Sequence, residues 1–267
     1  MRLHIVNIGS INIGYAEKIK SLLHNNIEKN YKDIVITDQN PDIVHLFGDW
    51  DMQTFFKVKS IYNRSIPLVF TSIGGLQSLI SCNKMKTSYI IKQITKYISI
   101  IHVCGPIEKN LLSRINKNIK IHTISNPAIS NIITIDEMVS QMIVLYRQTI
   151  MFHDNHICEQ IKNKVNNICK SDAAISEICI CILYIKYLHN RGFIPQSKLD
   201  ELSQTLIKCQ YDEEEMGKVL KNLSIYGYTS SLLSVLNKKS TLTEGFMPIT
   251  DKEDKTAENI LNCITNF

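Results

Sequence analysis

The feature that most restricts the fold is an alternation that runs through the first half of the chain and then stops. From residue 1 to about 127, short apolar runs alternate with amphipathic stretches. Candidate strands are Leu3–Ile8, Ile34–Thr37, Ile43–Phe47, Pro67–Thr71, Ile100–Val103 and Ile119–Ile124. Helix-like segments lie between them at Tyr15–Asn25, Met52–Tyr62, Lys84–Tyr97 and Ile107–Ile115. Short strands separated by helices of this length predict βαβ units and a parallel sheet. Runs such as "IVHLF" and "SIIHV" are apolar at almost every position, as expected of strands buried on both faces.

From about Thr134 the strand signals cease. "TIDEMVSQMIVLYRQTI" opens on a threonine cap, places Glu137 at the capping-box spacing, and continues with apolar residues at helical period. Further helices are predicted at roughly His156–Cys169, Ala174–His189, Lys198–Cys209, Glu213–Leu223, Ser230–Leu236 and Asp254–Ile264. Gly192 after "YLHNR" is a helix stop. The expected fold class is therefore α/β: a Rossmann-like parallel sheet with helices on both faces over residues 1–150. A smaller all-α module over 151–267 follows, suited to interaction.

Composition narrows the function classes. The net charge is +5, from 30 basic and 25 acidic residues, and reads as spread along the chain. That is not the basic footprint of a nucleic-acid binder, so no nucleic-acid partner is expected. The start "MRLHIVNIG" is a strand-like run rather than a leader. The longest apolar stretch, "ISEICICILYIKYL", is too short to span a bilayer and contains Glu177 and Lys186. Eight cysteines without a CxxC pair predict free thiols in a reducing compartment, hence a cytoplasmic protein. No cofactor is expected.

Several segments point to the carboxyl edge of the sheet, where α/β proteins bind ligands. "LVFTSIGGLQSL" at 68–79 is a strand running into a glycine turn, with Gly74 and Gly75 keeping backbone accessible and apolar Ile73 at the tip. Asp49 and Trp50 follow the third strand; Trp50 is the single tryptophan, able to stack on a sugar ring or to cap the core. Gly9, Ser10, Asn12 and Gly14 form a turn with backbone donors at a helix start, suited to an anion or simply to joining strand and helix. His45 reads as a buried strand residue or a ligand contact.

Four segments resemble the N-terminal domain of the family 4 glycosyltransferases, which have the two-domain GT-B architecture. "GYAE" at Gly14–Glu17 is similar to that family's G-G-A-E turn. "PDIVHLFGDW" at 41–50 resembles its P-D-I-V-H-x-H-G-x-W segment, and "IPLVFTSIGGL" at 66–76 its next strand and loop, which usually ends in His-Gly. "IHTISNPAI" at 121–129, with Asn126, resembles the strand and turn that end the domain. The resemblance covers roughly the first 130 residues. It implies a carbohydrate or lipid-linked sugar acceptor at Ser10, Asn12, Gly14, Glu17, His45, Asp49, Trp50, Gly74, Gly75 and Asn126.

The departures bear on chemistry. Tyr15 replaces the second glycine of the first turn, Phe47 the second histidine of the His-x-His pair, and Ile73 the histidine of the later loop. Isoleucine offers neither a donor nor a proton-transfer group. No two glutamates stand at the Glu-x7-Glu spacing of the family's donor domain, and the second half has no βαβ pattern. "TIDEMVSQMIVLYRQ" resembles the terminal helix of such enzymes. The resemblance thus implies a glycosyltransferase-like protein of surface polysaccharide or glycan assembly without its own donor domain. Its catalytic residues stay unassigned. It would be half of a split enzyme, with a donor-binding glycosyltransferase chain as partner, or a non-catalytic companion. The rival class is an interaction or regulatory protein on a Rossmann-like scaffold.

Other constellations carry less. "FHDNHICEQ" places His153, Asp154, His156 and Cys158 close together without a second ligand pair, so no metal is expected. "DEEE" at 212–215 suits a helix start. Cys104 precedes a helix start, a position that can lower a thiol pKa. Lys84, Lys92 and Lys96 near one helix face suggest a solvated surface or a peripheral contact at the inner face of the membrane.

Overall fold

A computed structural model describes residues 1–8, 13–72, 84–127, 133–169, 172–239, 242 and 244–265. The chain divides into two compact units, Met1–Asp154 and Asn155–Phe267. In the first, β1 (Arg2–Ile8), α1 (Ile13–Asn30), β2 (Val35–Ile36) and β3 (Ile43–Gly48) are followed by α2 (Met52–Asn63) and β4 (Leu68–Ser72). Then come α3 (Lys84–Thr95), β5 (Ile100–Val103), α4 (Pro106–Ile115), β6 (Ile121–Thr123) and the start of α5 (Ile135–Ile168). All six strands pair in parallel, in the order β2-β1-β3-β4-β5-β6.

Both faces of the sheet are covered. Ile43, Phe47 and Val69 pack with Ile19, Leu23 and Ile27 of α1 and with Met138, Val139 and Met142 of α5. Val44, Leu46, Leu68 and Phe70 point the other way, to Val58 and Ile61 of α2, Ile91 and Ile94 of α3, and Leu112 of α4. Each such aliphatic side chain, fully buried, contributes about 2 kcal/mol. Every residue of β3 and β4 is buried, which is why these strands are apolar on both faces. A Cβ on Gly48 would stand 3.0 Å from Thr54 Oγ1 and 3.2 Å from Phe70 Cε2, so glycine lets the first turns of α2 close down on β3.

The predicted capping box forms. The Thr134 N–H donates to Glu137 Oε2 (2.7 Å), and the Glu137 N–H donates to Thr134 Oγ1 (3.2 Å). Where two helices were expected after it, α5 is one helix of 34 residues. The stretch "MFHDNH" holds neither glycine nor proline, so nothing in it breaks the hydrogen-bond ladder.

The second unit holds the end of α5, then α6 (Ala173–Asn190), α7 (Gln196–Lys208), α8 (Glu213–Asn222), α9 (Tyr226–Lys239) and α10 (Lys255–Asn262). Asp172, Asp212 and Asp254 cap α6, α8 and α10 by accepting backbone N–H bonds. Ile178, Ile182, Leu199, Leu202, Leu220, Leu232 and Leu236 lie in its core. Gly192 adopts φ 79°, ending α6 as expected. The unit also contains a two-stranded parallel pair, β7 (Ile194–Pro195) with β8 (Ile264–Thr265), where helices alone were predicted. Among the described residues, no helix is long and apolar enough to cross a membrane.

Candidate functional site

The carboxyl ends of the strands share one edge. Strand order reverses between β1 and β3, the position where open parallel sheets form a crevice for a ligand. Of the residues expected there, Ser10, Asn12, Ile73, Gly74 and Gly75 lie outside the described residues. Gly14 lies in the first turn of α1, and Glu17 beyond it accepts a hydrogen bond from Asn7 Nδ2 of β1 (3.2 Å). Asp49 and Trp50, directly after β3, are 5% and 4% exposed. The Trp50 ring meets Phe70 edge-on at 4.9 Å, so its face is packed within the core beneath α2. Asn126, after β6, is also buried, and its side chain bonds the Cys104 thiol.

Four polar atoms around this edge are buried without a well-formed partner: Asn7 Oδ1, Trp50 Nε1, Thr54 Oγ1 and Ser72 Oγ. Folded proteins satisfy about 90% of such groups or more. Trp50, Thr54 and Ser72 lie on the α2 face of the sheet, near the ends of β3 and β4, whereas Asn7, in register with Phe47, lies on the α1 face. The set offers one N–H donor, one amide acceptor and two hydroxyls; among the described residues, Glu17 bonds Asn7, Asp49 precedes Trp50 in sequence and Glu108 lies near Ser72. Neutral donors and acceptors beside carboxylates suit a hydroxyl-bearing ligand better than a phosphate.

Below the edge, a row of hydrogen bonds crosses three strands. His45 on β3 is fully buried; its Nδ1 lies 2.6 Å from the Tyr146 hydroxyl of α5 and its Nε2 lies 2.7 Å from Thr71 Oγ1 of β4. Thr71 Oγ1 is 2.8 Å from Nδ1 of His102 on β5, whose Nε2 is 3.1 Å from the Ile124 carbonyl. A carbonyl only accepts, so His102 Nε2 carries a proton. Neutral His102 then accepts at Nδ1 from Thr71, Thr71 accepts from His45 Nε2–H, and His45 Nδ1 accepts from Tyr146. Burial holds both imidazoles neutral: it lowers His102 to about 4 and, with His102 nearby, sets His45 well below its usual value. Both nitrogens of His45 are thereby committed to the interior.

Glu108, on the first turn of α4, was not singled out by the sequence. Burial pushes its carboxyl up to about 7, against a bond from the Cys104 N–H and the nearby Ser72 hydroxyl, which leans toward it without good bonding geometry. It is thus a group that can donate or accept a proton near neutrality at this edge. The expectation for Cys104 is corrected. Burial and the Glu108 charge push its thiol up to about 11, outweighing the helix start.

The His153–Cys158 stretch is helical, with His153 Nε2 donating to the Ser65 carbonyl (3.1 Å) and His156 Nε2 beside Gln160 Nε2 (2.9 Å). Among the described residues, no group of three or more His, Cys, Asp or Glu could hold a metal ion. No family model, curated protein or solved structure matches the chain.

Proposed function

We propose that this is a glycosyltransferase-like protein of surface polysaccharide or glycan assembly that binds the carbohydrate acceptor and lacks its own donor site. It acts with a separate donor-binding chain, as a split enzyme or as a non-catalytic companion. The observation that carries the reading is the set of orphaned neutral polar atoms of Trp50, Thr54 and Ser72 near the ends of β3 and β4, with Glu108 beside Ser72. A polyhydroxylated ligand satisfies such a group, whereas a nucleotide diphosphate meets unfavourable charge. The commitment of both His45 nitrogens to buried partners favours the companion form.

Calorimetry of the full chain against UDP-, GDP-, CDP- and dTDP-sugars tests the absence of a donor site. Micromolar binding, about −8 kcal/mol, sinks the reading. A glycan array tests the acceptor side, and binding there is expected to fall in Ser72→Ala. The burial of Trp50 against Phe70 favours a second reading, an interaction or regulatory protein on a Rossmann-like scaffold. Silence in both experiments would select it.

A further inference from the structure

Charge is less evenly spread than the totals imply. Between Asp51 and Glu108 the sequence contains no aspartate or glutamate, against seven lysines and arginines, so the remainder of the chain is net negative. This stretch includes α2 and α3, which pack against each other on one face of the sheet. Their outer surfaces repeat a pattern. On α2, Met52, Phe56 and Lys59 stand at i, i+4 and i+7; on α3, Met85, Tyr89 and Lys92 stand at the same spacing. That spacing places each trio on one helical stripe.

The apolar members are turned outward: Met52 is 51% exposed, Phe56 63%, Met85 88% and Tyr89 64%. Lys57, Lys59, Arg64, Lys86, Lys92 and Lys96 are exposed around them. Phe56, Phe55, Tyr97 and Tyr62 form a chain of edge-on rings with centroids 5.5, 6.0 and 5.1 Å apart, continuing the aromatic surface between the helices. Clustered exposed apolar groups mark contact surfaces, and the surrounding lysines give this one an anionic counterpart.

We propose that the outer face of α2 and α3 is a peripheral membrane-binding surface for bilayers containing anionic phospholipid. Flexible methionines and aromatic rings enter the headgroup and acyl boundary, while lysine stems reach the phosphates. Exposed methionines and aromatic rings interleaved with lysines fit the acyl and headgroup layers of a bilayer together, whereas a polyanion would use only the lysines. Both helices begin after the carboxyl ends of parallel strands, so their methionines lie toward the candidate site's edge. A bilayer met there would present a lipid-linked acceptor to that site. This last consequence rests on the proposed function; the membrane contact does not.

The test is co-sedimentation of the full chain with vesicles of phosphatidylcholine alone or mixed with phosphatidylglycerol. Binding to the mixed vesicles only, weakened by salt, is expected. Lys59→Gln and Lys92→Gln should each weaken partition about fivefold, and the Phe56→Ser/Tyr89→Ser double variant should weaken it at unchanged charge. Because these side chains are exposed, the variants keep the fold. Equal or no sedimentation with both vesicles, or unchanged binding of the aromatic variant, overturns the proposal. Capture of a single-stranded oligonucleotide without vesicle binding also overturns it and assigns the surface to nucleic acid.

Discussion

At Glu108 desolvation outweighs the two groups that favour its charge, and the balance has a measurable sign. An unfolded glutamate ionises near 4.5, whereas this carboxyl in the fold resists ionisation until about 7. The cost of burying its charge therefore emerges as pH rises from 4.5 and is complete above 7. Glu108→Gln should stabilise the protein by roughly 2 kcal/mol at about pH 8 and leave it unchanged at about pH 4. Urea unfolding at the two pH values reads this directly; equal midpoints at pH 8 would mean the carboxyl is not desolvated. A residue kept at the expense of stability is what a functional edge leads one to expect. His102 works with the opposite proton sense. Its folded pKa is depressed to about 4 from 6.5, so its contribution is whole above 6.5 and drains away as pH falls toward 4. Roughly 3 kcal/mol should be lost over that window, with His45 acting in the same direction. His102→Gln should flatten the acid limb of a stability–pH curve.

Among the elements, Gly192 holds the left-handed turn that ends α6. Gly192→Ala should cost about 1 kcal/mol through strain at positive φ, read as a lowered urea midpoint without change in slope. The six strands of the sheet were legible because burial on both faces leaves nearly unbroken apolar runs such as Ile43–Gly48. The capping box at Thr134 was legible because its two side chains are three residues apart. What escaped was long-range or very short. β7 and β8 are two residues each and pair across a gap of about 70 residues, beyond any local pattern. Continuity of α5 through Asp154 was hidden because an aspartate reads as a cap until the surrounding backbone is seen. The positions of Asp49 and Trp50 after β3 were legible from the strand pattern, and Asn126 was singled out only through the resemblance; their burial was not legible. Nor was Glu108, since alone it resembles a solvated first-turn glutamate. Its shifted proton affinity comes from burial near Ser72, which is distant in sequence.

For the molecule as a whole, a modest net charge conceals a divided surface. The sequence isoelectric point is about 8.7, yet the stretch from Met52 to Ile107 carries no acid at all. The chain should therefore still be retained on a sulfonate cation exchanger at pH 8.7, where its net charge vanishes, because adsorption senses the local field rather than the total. Lys59→Gln and Lys92→Gln should shorten that retention. Elution without delay would show that the charges are too dispersed to act together.

The row from Tyr146 to the Ile124 carbonyl has a final consequence. A proton wire must reset, each member turning round to pass the next proton, and this row ends in an atom that can never give one up. It is a latch rather than a wire, closed in one sense only, and it joins three strands to α5. Any proton exchanged at the edge above must therefore come from elsewhere.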